Sequence, residues 1–226
     1  MINICINKGL IDSNVYIVGD NGEVAVIDCG VDAEKIYEVA NTNGLKIKYI
    51  ILTHCHFDHV FYTDALKELT GAKVIIYKKD AANLQNSNSE FMKRMGLSMH
   101  VSKPDILVDD GDEIVIGDSD FKFIHTPGHT SGSMCIMVDN LLFSGDTLFE
   151  RSMGRTDLGD GNDKDIHESL RKLCKLPDET KVFPGHGQST TIAYEKALNP
   201  YLEKGDFIWF ILLFKDMHSD MISKSF

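Results

Sequence analysis

The chain has 226 residues, of which 43% are apolar and 25% are charged, as is ordinary for a globular protein with one sizeable core. Its 34 acidic residues outnumber its 23 lysines and arginines, and the formal net charge of -11 argues against a nucleic-acid partner bound through its phosphates. No stretch approaches the roughly 20 continuous apolar residues of a membrane-spanning helix, so no membrane partner is expected.

The first quarter of the chain predicts two strands, a helix and a third strand. Residues 15–18 and 23–27 are short apolar runs separated by the turn signal Gly-Asp-Asn-Gly at residues 19–22. Asp32 is a suitable N-cap for a helix over residues 32–42, and Gly44 is a suitable end signal. The apolar run at residues 48–52 predicts the next strand.

Strand and helix signals are mixed in the rest of the chain. Further strands are predicted at residues 73–77, 113–116, 121–124, 134–138, 141–143 and 181–183. Further helices are predicted at residues 80–95 and 163–174, and a shorter one through Tyr62 and Leu66. A strand meander followed by mixed strands and helices favours a layered α/β sandwich.

The cysteines and the first residues of the chain bear on the compartment. The five cysteines are widely scattered and include no C-x-x-C pair, which is typical of reduced thiols in a cytosolic protein. The segment from Met1 to Lys8 lacks the charged and then apolar pattern of a secretory signal. A cytoplasmic location is therefore expected.

The C-terminal segment differs in composition from the rest of the chain. We expect one domain over residues 1–202 and an apolar tail over residues 203–226. The tail has eight consecutive apolar residues at 207–214, too few to span a membrane. Because an exposed run of this kind would promote aggregation, we expect it to pack on the domain or on a second copy of the chain, as in a homo-oligomer.

The segment from Thr53 to His59 carries the strongest chemical signal. His54 and His56 alternate along an extended backbone after a buried strand, so both side chains can reach one point. Asp58 and His59 follow where the chain turns into a helix. Imidazole nitrogens and carboxylate oxygens suit zinc, iron or manganese, and the pattern favours a metal site over a chance histidine cluster on a solvated loop.

Three further candidate ligands follow other predicted strands. His129 lies on the Thr-Pro-Gly-His loop, Asp146 ends the Ser-Gly-Asp segment, and His186 lies in a second Pro-Gly-His segment. Each stands next to a glycine that permits a sharp turn, and loops at strand ends commonly carry functional residues. Singly, each residue is more typical of a turn, a cap or a core position; together with the first motif they indicate a metal centre.

These four segments, in this order, resemble the metallo-β-lactamase superfamily. The resemblance implies an αβ/βα sandwich in which two facing mixed β-sheets carry outer helices. It also implies two metal ions, one held by His54, His56 and His129 and the other by Asp58, His59 and His186, with Asp146 bridging both. The cofactors expected are two zinc ions, with iron or manganese as alternatives.

The segments around Asp146, Arg155 and His186 are similar to those of the short glyoxalase II-type hydrolases. This resemblance implies hydrolysis of a small-molecule acyl-thioester such as S-lactoylglutathione. Two metal ions roughly 3.5–4 Å apart can activate water for attack on the thioester carbonyl. Asp58 and Asp146 are then the catalytic carboxylates that orient the nucleophile, and Arg155 is a candidate substrate contact.

Two other activities share much of this pattern. Persulfide dioxygenases use one iron through residues that match His54, His129 and Asp146, and lactone hydrolases use the same metal chemistry as the thioesterases. A secreted β-lactamase is disfavoured by the lack of a signal peptide. One departure concerns Val60, Phe61 and Tyr62, where the family has small residues; this bulk predicts an altered orientation of Asp58 and His59.

Overall fold

The computed structural model of the protein describes residues 1–84, 92, 94, 96 and 101–202. Its first sheet has six strands, which pair in chain order. They are β1 (Ile2–Ile6), β2 (Val15–Asp20), β3 (Glu23–Ile27), β4 (Lys46–Leu52), β5 (Lys73–Tyr77) and β6 (Ile106–Val108). The first three strands form an antiparallel meander, and β3 to β6 are parallel.

The second sheet also has six strands, in the spatial order β14-β13-β10-β9-β8-β7. They are β7 (Glu113–Ile116), β8 (Ser119–His125), β9 (Met134–Val138), β10 (Leu141–Gly145), β13 (Lys181–Pro184) and β14 (Thr190–Thr191). Only the β10–β13 pair is parallel. A small hairpin of β11 (Leu148–Phe149) and β12 (Ser152–Met153) follows β10.

The longer helices pack on the outer faces of the sheets. The helices are α1 (Ala33–Thr42), α2 (Phe57–Val60), α3 (Thr63–Thr70), α4 (Lys78–Ala81), α5 (Asp163–Leu173) and α6 (Ile192–Leu198). The predicted N-cap of α1 is confirmed, since the Asp32 carboxylate accepts hydrogen bonds from the backbone N–H groups of Glu34 and Lys35 at 3.0 and 3.3 Å. Among the described residues, no helix has the length and apolarity needed to cross a membrane.

Side-chain alternation along the strands divides the core into layers. On β2, Tyr16 and Val18 pack between the sheets with residues such as Phe121 and Phe123 of β8. The alternate residues of β2 pack instead with Ile36 of α1 and Leu66 of α3. A third cluster joins the outer face of the second sheet to α5 and α6. The expected αβ/βα sandwich is confirmed. Burial on both faces explains why strands such as β2, β3, β5, β9 and β10 have nearly continuous apolar sequences, whereas β8 alternates between buried and exposed residues.

Two helix predictions need correction. The helix predicted through Tyr62 and Leu66 is two helices, α2 and α3, because the Tyr62 N–H donates to the carbonyl of Cys29 at 3.0 Å rather than to the preceding turn. The helix predicted over residues 80–95 begins earlier, and α4 ends at Ala81. Met92 and Arg94 are helical, whereas most of residues 85–95 lie outside the described residues.

Other elements gave weak sequence signals. The edge strand β1, the three-residue strand β6 and the short helix α6 were not predicted, because each is short or only partly buried. The predicted tail, residues 203–226, lies outside the described residues. The expected boundary at residue 202 and the packing of the tail stay predictions.

Candidate metal centre

The candidate ligands lie where strands of the two sheets end side by side. In the second sheet, β8, β10 and β13 run in the same direction, so the loops that follow them emerge at one edge. These loops carry His129, Asp146 and His186. The loop after β4 comes from the first sheet, and the carbonyl of its Thr53 accepts a hydrogen bond from the Met134 N–H at the start of β9, at 2.9 Å. This bond joins the two sheets at the site.

The first donor group consists of His54, His56 and His129. One ring nitrogen from each lies within 4.8 Å of the others, and all three side chains are buried. His56 Nδ1 is 2.8 Å from His129 Nε2. Cys55, between the first two histidines, packs in the core formed with the outer helices.

The second donor group consists of Asp58, His59 and His186. Their candidate ligand atoms also lie within 4.8 Å of one another. His186 Nε2 is 3.2 Å from Asp58 Oδ2 and 3.1 Å from His59 Nε2. The single turn of α2 places Asp58 and His59 next to the loop that follows β13.

Asp146 lies between the two groups. Its Oδ1 is 3.4 Å from His59 Nε2, and its Oδ2 is 3.5 Å from His129 Nε2 and 3.6 Å from His186 Nε2. A glycine at position 185 makes room for this carboxylate, because a Cβ there would lie 2.3 Å from Asp146 Oδ1 and 2.7 Å from His59 Cε1.

Asp28 fixes the orientation of one histidine in each group. Its Oδ2 accepts hydrogen bonds from His59 Nδ1 at 2.8 Å and from the Thr53 hydroxyl at 2.9 Å. Since the Thr53 hydroxyl donates to Asp28, it accepts from His54 Nδ1, which is 3.0 Å away. Both imidazoles therefore carry a proton on Nδ1 and direct Nε2 toward the centre of the site, as a metal-ligating histidine requires.

The third oriented histidine uses a backbone carbonyl. His129 Nδ1 donates to the carbonyl oxygen of Arg155 at 2.7 Å, which directs its Nε2 toward the site. Arg155 lines the cleft, and its guanidinium donates two hydrogen bonds to Asp157, at 2.6 and 2.7 Å. Both of these charged side chains are more than half exposed, at 61% and 67%.

The unsatisfied atoms of the cluster fit a metal site. His54 Nε2 and Asp146 Oδ1 are buried and have no hydrogen-bond partner among the described residues. Where two imidazole nitrogens face each other, as in the His56–His129 and His59–His186 pairs, only one of the two can carry the intervening proton. Divalent cations would satisfy all of these lone pairs at once, so the donor set fits metal ions.

The protonation states of the cluster agree with this interpretation. Burial, together with the positive charge of neighbouring histidines, lowers the pKa of His54 well below its usual value and that of His56 to about 4. Burial also disfavours charge on His59, but the carboxylates of Asp146 and Asp28 outweigh it and raise the pKa of His59. Burial opposes ionisation of Asp58, yet the hydrogen bond with His186 and the charge of His59 lower its pKa to about 2. The carboxylates therefore favour a positive charge at the centre of the site, as they would favour a bound cation.

Five of the seven donor residues line a cleft of about 510 Å³, namely His56, Asp58, His129, Asp146 and His186. Its volume is in the range of sites that bind small molecules. Apolar side chains contribute much of the wall. The apolar lining residues are Ile11, Phe57, Phe149, Met153 and Leu158.

Comparison with known families identifies the fold. Residues 9–186 match the model of the metallo-beta-lactamase superfamily. The chain belongs to this superfamily. The resemblance stated from the sequence is thereby confirmed for the superfamily.

Two curated relatives show how far the similarity to other superfamily members extends. A protein of Aquifex aeolicus described as uncharacterised is 38% identical over 207 residues, covering 89% of this chain and 97% of its own. A hydroxyacylglutathione hydrolase of Maricaulis maris is 33% identical over 225 residues, covering 83% and 80%. Both alignments span most of each chain.

Three solved structures have the same fold. BLEG-1, described as a B3 metallo-beta-lactamase, has a TM-score of 0.83 and 35% identity, covering 89% of this chain and 100% of its own. TTHA1623, solved in a di-iron-bound form, has a TM-score of 0.78 and 33% identity, covering 88% and 100%. ETHE1 from Myxococcus xanthus has a TM-score of 0.74 and 30% identity, covering 88% and 84%. The His and Asp cluster and the di-iron neighbour together support a metal cofactor.

The structure brings all seven side chains predicted from the superfamily motifs into one cluster. Their roles as ligands and catalytic groups stay predictions, as does the substrate contact of Arg155. The sequence interpretation missed Asp28, although Asp28 directly follows an apolar strand, the signal that indicated the other candidates. The altered orientation of Asp58 and His59 expected from the bulky residues that follow stays a prediction, although both side chains reach His186. Val60 packs in the core beneath the helices, and the donor atoms of Asp58 and His59 face His186.

Proposed function

We infer that the protein is a dinuclear-metal hydrolase that cleaves acyl-thioesters of a small thiol. The observation that carries this proposal is the pair of donor groups, with the Asp146 carboxylate in reach of histidines from both. A mononuclear enzyme needs only one such group. The similarity to the Maricaulis maris hydrolase supports the thioester as substrate.

The proposed ligands are His54, His56 and His129 for one ion and Asp58, His59 and His186 for the other, with Asp146 shared. Two zinc ions suit these nitrogen and oxygen donors, and iron or manganese are alternatives. Bound metal would supply Lewis acidity, which activates water near neutral pH and polarises a carbonyl.

The protein's own side chains would complete the chemistry. Asp58 and Asp146 would accept hydrogen bonds from the attacking water and hold it against the carbonyl carbon. The apolar wall contributed by Phe57, Phe149 and Leu158 would contact the acyl or thiol chain and limit access of bulk water. A thiolate is a good leaving group, so no general acid is required.

The first test is hydrolysis of S-lactoylglutathione by purified, zinc-reconstituted protein, followed by loss of the thioester. We expect turnover that a chelator abolishes and added zinc restores. Absence of turnover in protein that holds two equivalents of zinc would reject the glutathione thioester as substrate. A parallel assay with a chromogenic β-lactam is warranted by the likeness to BLEG-1, and exclusive turnover of that compound would replace the thioesterase proposal.

A second candidate is a mononuclear-iron persulfide dioxygenase. It is favoured by the likeness to ETHE1 and by the proximity of His129 to Asp146, at 3.5 Å. Iron-loaded protein would then consume oxygen in the presence of glutathione persulfide. Metal analysis separates the two candidates, because the hydrolase should require two metal ions per chain and the dioxygenase one iron.

Arg155 is proposed to contact an anionic part of the substrate. The substitution Arg155→Gln keeps the backbone carbonyl that orients His129 and removes the side-chain charge together with its ion pair to Asp157. Because an exposed ion pair contributes up to about 1 kcal/mol, KM should rise by up to about fivefold with little change in kcat. Steady-state kinetics with S-lactoylglutathione measure both constants.

The matched control is Arg151→Gln, since Arg151 is exposed and is not among the described residues that line the cleft. It should leave KM at the wild-type value. Equal KM values for Arg155→Gln and wild type would reject a role for the guanidinium in substrate binding.

A further inference from the structure

Asp80 is a buried carboxylate that the proposed chemistry does not use. It lies in α4, directly after β5, and its side chain is fully buried. Its Oδ2 accepts hydrogen bonds from the backbone N–H of Cys55 at 2.9 Å and from the Thr130 hydroxyl at 2.8 Å. These two donors are 75 residues apart in the chain, so one oxygen atom connects two distant segments.

The two segments carry the first donor group. Cys55 stands between His54 and His56 on the loop that follows β4 of the first sheet. Thr130 follows His129 on the loop between β8 and β9 of the second sheet. The hydrogen bonds therefore tie the two sheets together at the point where His56 Nδ1 and His129 Nε2 approach to 2.8 Å.

The fit around this carboxylate is close. A Cβ at Gly132 would lie 2.4 Å from both Asp80 N and Asp80 Oδ1, so the His129 loop packs directly on Asp80. The Thr130 hydroxyl is also 2.7 Å from Ser133 Oγ, and Ser133 Oγ accepts the Thr130 N–H at 3.0 Å. Because the Thr130 hydroxyl donates to Asp80, it accepts from Ser133, and this chain of hydrogen bonds ends at the carboxylate.

Retaining a carboxylate here is costly in stability. Asp80 Oδ1 has no hydrogen-bond partner among the described residues, although the side chain is buried. A buried carboxylate with an unsatisfied oxygen destabilises the fold unless its remaining interactions compensate. Together, the two hydrogen bonds that Oδ2 accepts hold the His54–His56 loop and the His129 loop at a fixed distance from each other.

We propose that Asp80 is a positioning residue for the first metal ion, because it sets the separation of His54 and His56 from His129. The proposal rests on the metal-ligand roles given under the proposed function. It does not depend on the substrate, since the quantity that Asp80 controls is metal affinity. Groups that orient metal ligands without touching the metal typically change affinity by about 10- to 100-fold when removed.

The test measures zinc affinity by competition with a chromophoric chelator, together with the thermal stability of the metal-free protein. Asp80→Ala removes both hydrogen bonds and should lower the affinity for one of the two zinc ions by about 10- to 100-fold. Asp80→Asn retains a carbonyl oxygen that can accept both bonds, so its loss should be smaller. Of the two hydrogen bonds to Asp80, Thr130→Val removes only the one from the His129 loop, together with the contact between the Thr130 and Ser133 hydroxyls. It should also weaken the binding of that zinc ion.

The matched control is Asp64→Ala. The Asp64 carboxylate likewise accepts a backbone N–H and a hydroxyl, both from Ser102, at 2.9 to 3.0 Å. Its removal should lower thermal stability without changing zinc affinity. Cobalt-substituted protein adds a second readout, because a changed distance between the ligands of the first ion should alter the d–d absorption of Asp80→Ala and not that of Asp64→Ala.

Wild-type zinc affinity in both Asp80→Ala and Thr130→Val would overturn the proposal, even if both variants are less stable. If Asp80→Ala does not fold, Thr130→Val and Asp80→Asn decide the outcome by the same affinity measurement. If the wild-type protein shows no thioesterase activity but zinc binding is weakened in the Asp80 and Thr130 variants, the missing activity rejects the proposed substrate. The weakened zinc binding still supports the role of Asp80.

Discussion

Asp146→Ala is expected to lose one metal ion and nearly all activity while keeping its fold. Asp146 is within 3.6 Å of His59, His129 and His186, so its carboxylate is the group best placed to contact both proposed ions. Removal of groups that merely orient ligands costs about 10- to 100-fold, so loss of a shared ligand should lower kcat/KM by more than about 100-fold. Metal analysis, steady-state kinetics and far-UV circular dichroism measure the three quantities.

Zinc should also stabilise this variant less than it stabilises the wild-type protein. A ligand that binds only the folded state raises Tm according to its affinity and concentration, so a lost site reduces the zinc-dependent rise in Tm. Asp120→Ala is the matched control, because Asp120 is an exposed carboxylate on β8. Two bound zinc ions and wild-type kinetics in Asp146→Ala would show that this carboxylate does not bridge the ions.

Asp28→Asn is expected to weaken the binding of both metal ions, although Asp28 belongs to neither donor group. Its Oδ2 accepts hydrogen bonds from His59 Nδ1 and from the Thr53 hydroxyl, which in turn accepts from His54 Nδ1. Its Oδ1 accepts the Thr53 backbone N–H at 2.8 Å. Asparagine replaces one of the two carboxylate oxygens by an amide N–H₂ group, which is a donor. Either the Thr53 N–H or the His59 Nδ1–H would then face this donor and lose its acceptor.

The expected result is a loss of zinc affinity of about 10- to 100-fold, because the two imidazoles lose the partner that fixes their tautomers. Competition with a chelator measures the affinity, and kcat/KM at saturating zinc shows whether activity returns. Asp20→Asn is the matched control, since Asp20 also accepts a backbone N–H and a hydroxyl, from Asp118 and Ser119, but contacts no histidine in the site. Unchanged zinc affinity in Asp28→Asn would contradict the role given to this hydrogen-bond relay.

Much of the fold could be predicted from the sequence because most of the central strands, such as β2, β3, β9 and β10, are buried on both faces. The bounds of β3, β5, β7 and β9 agree with those predicted, since each consists of β-branched and other apolar residues apart from a charged first residue in β3, β5 and β7. The helix break between Val60 and Thr63 could not be predicted. It results from a hydrogen bond to Cys29, which is distant in the chain and gives no local signal.

The sequence by itself determined the superfamily, the layered fold and the seven side chains of the cluster, because histidine and aspartate at strand ends form a pattern that is local in the chain. The tertiary structure decided how those side chains are held. Asp28 reaches His59 across 31 residues, Arg155 reaches His129 across 26, and Asp80 reaches Thr130 across 50. Local periodicity and propensity do not report contacts over such separations. These contacts arise only when the two sheets pack and bring the loops at their ends within hydrogen-bonding distance.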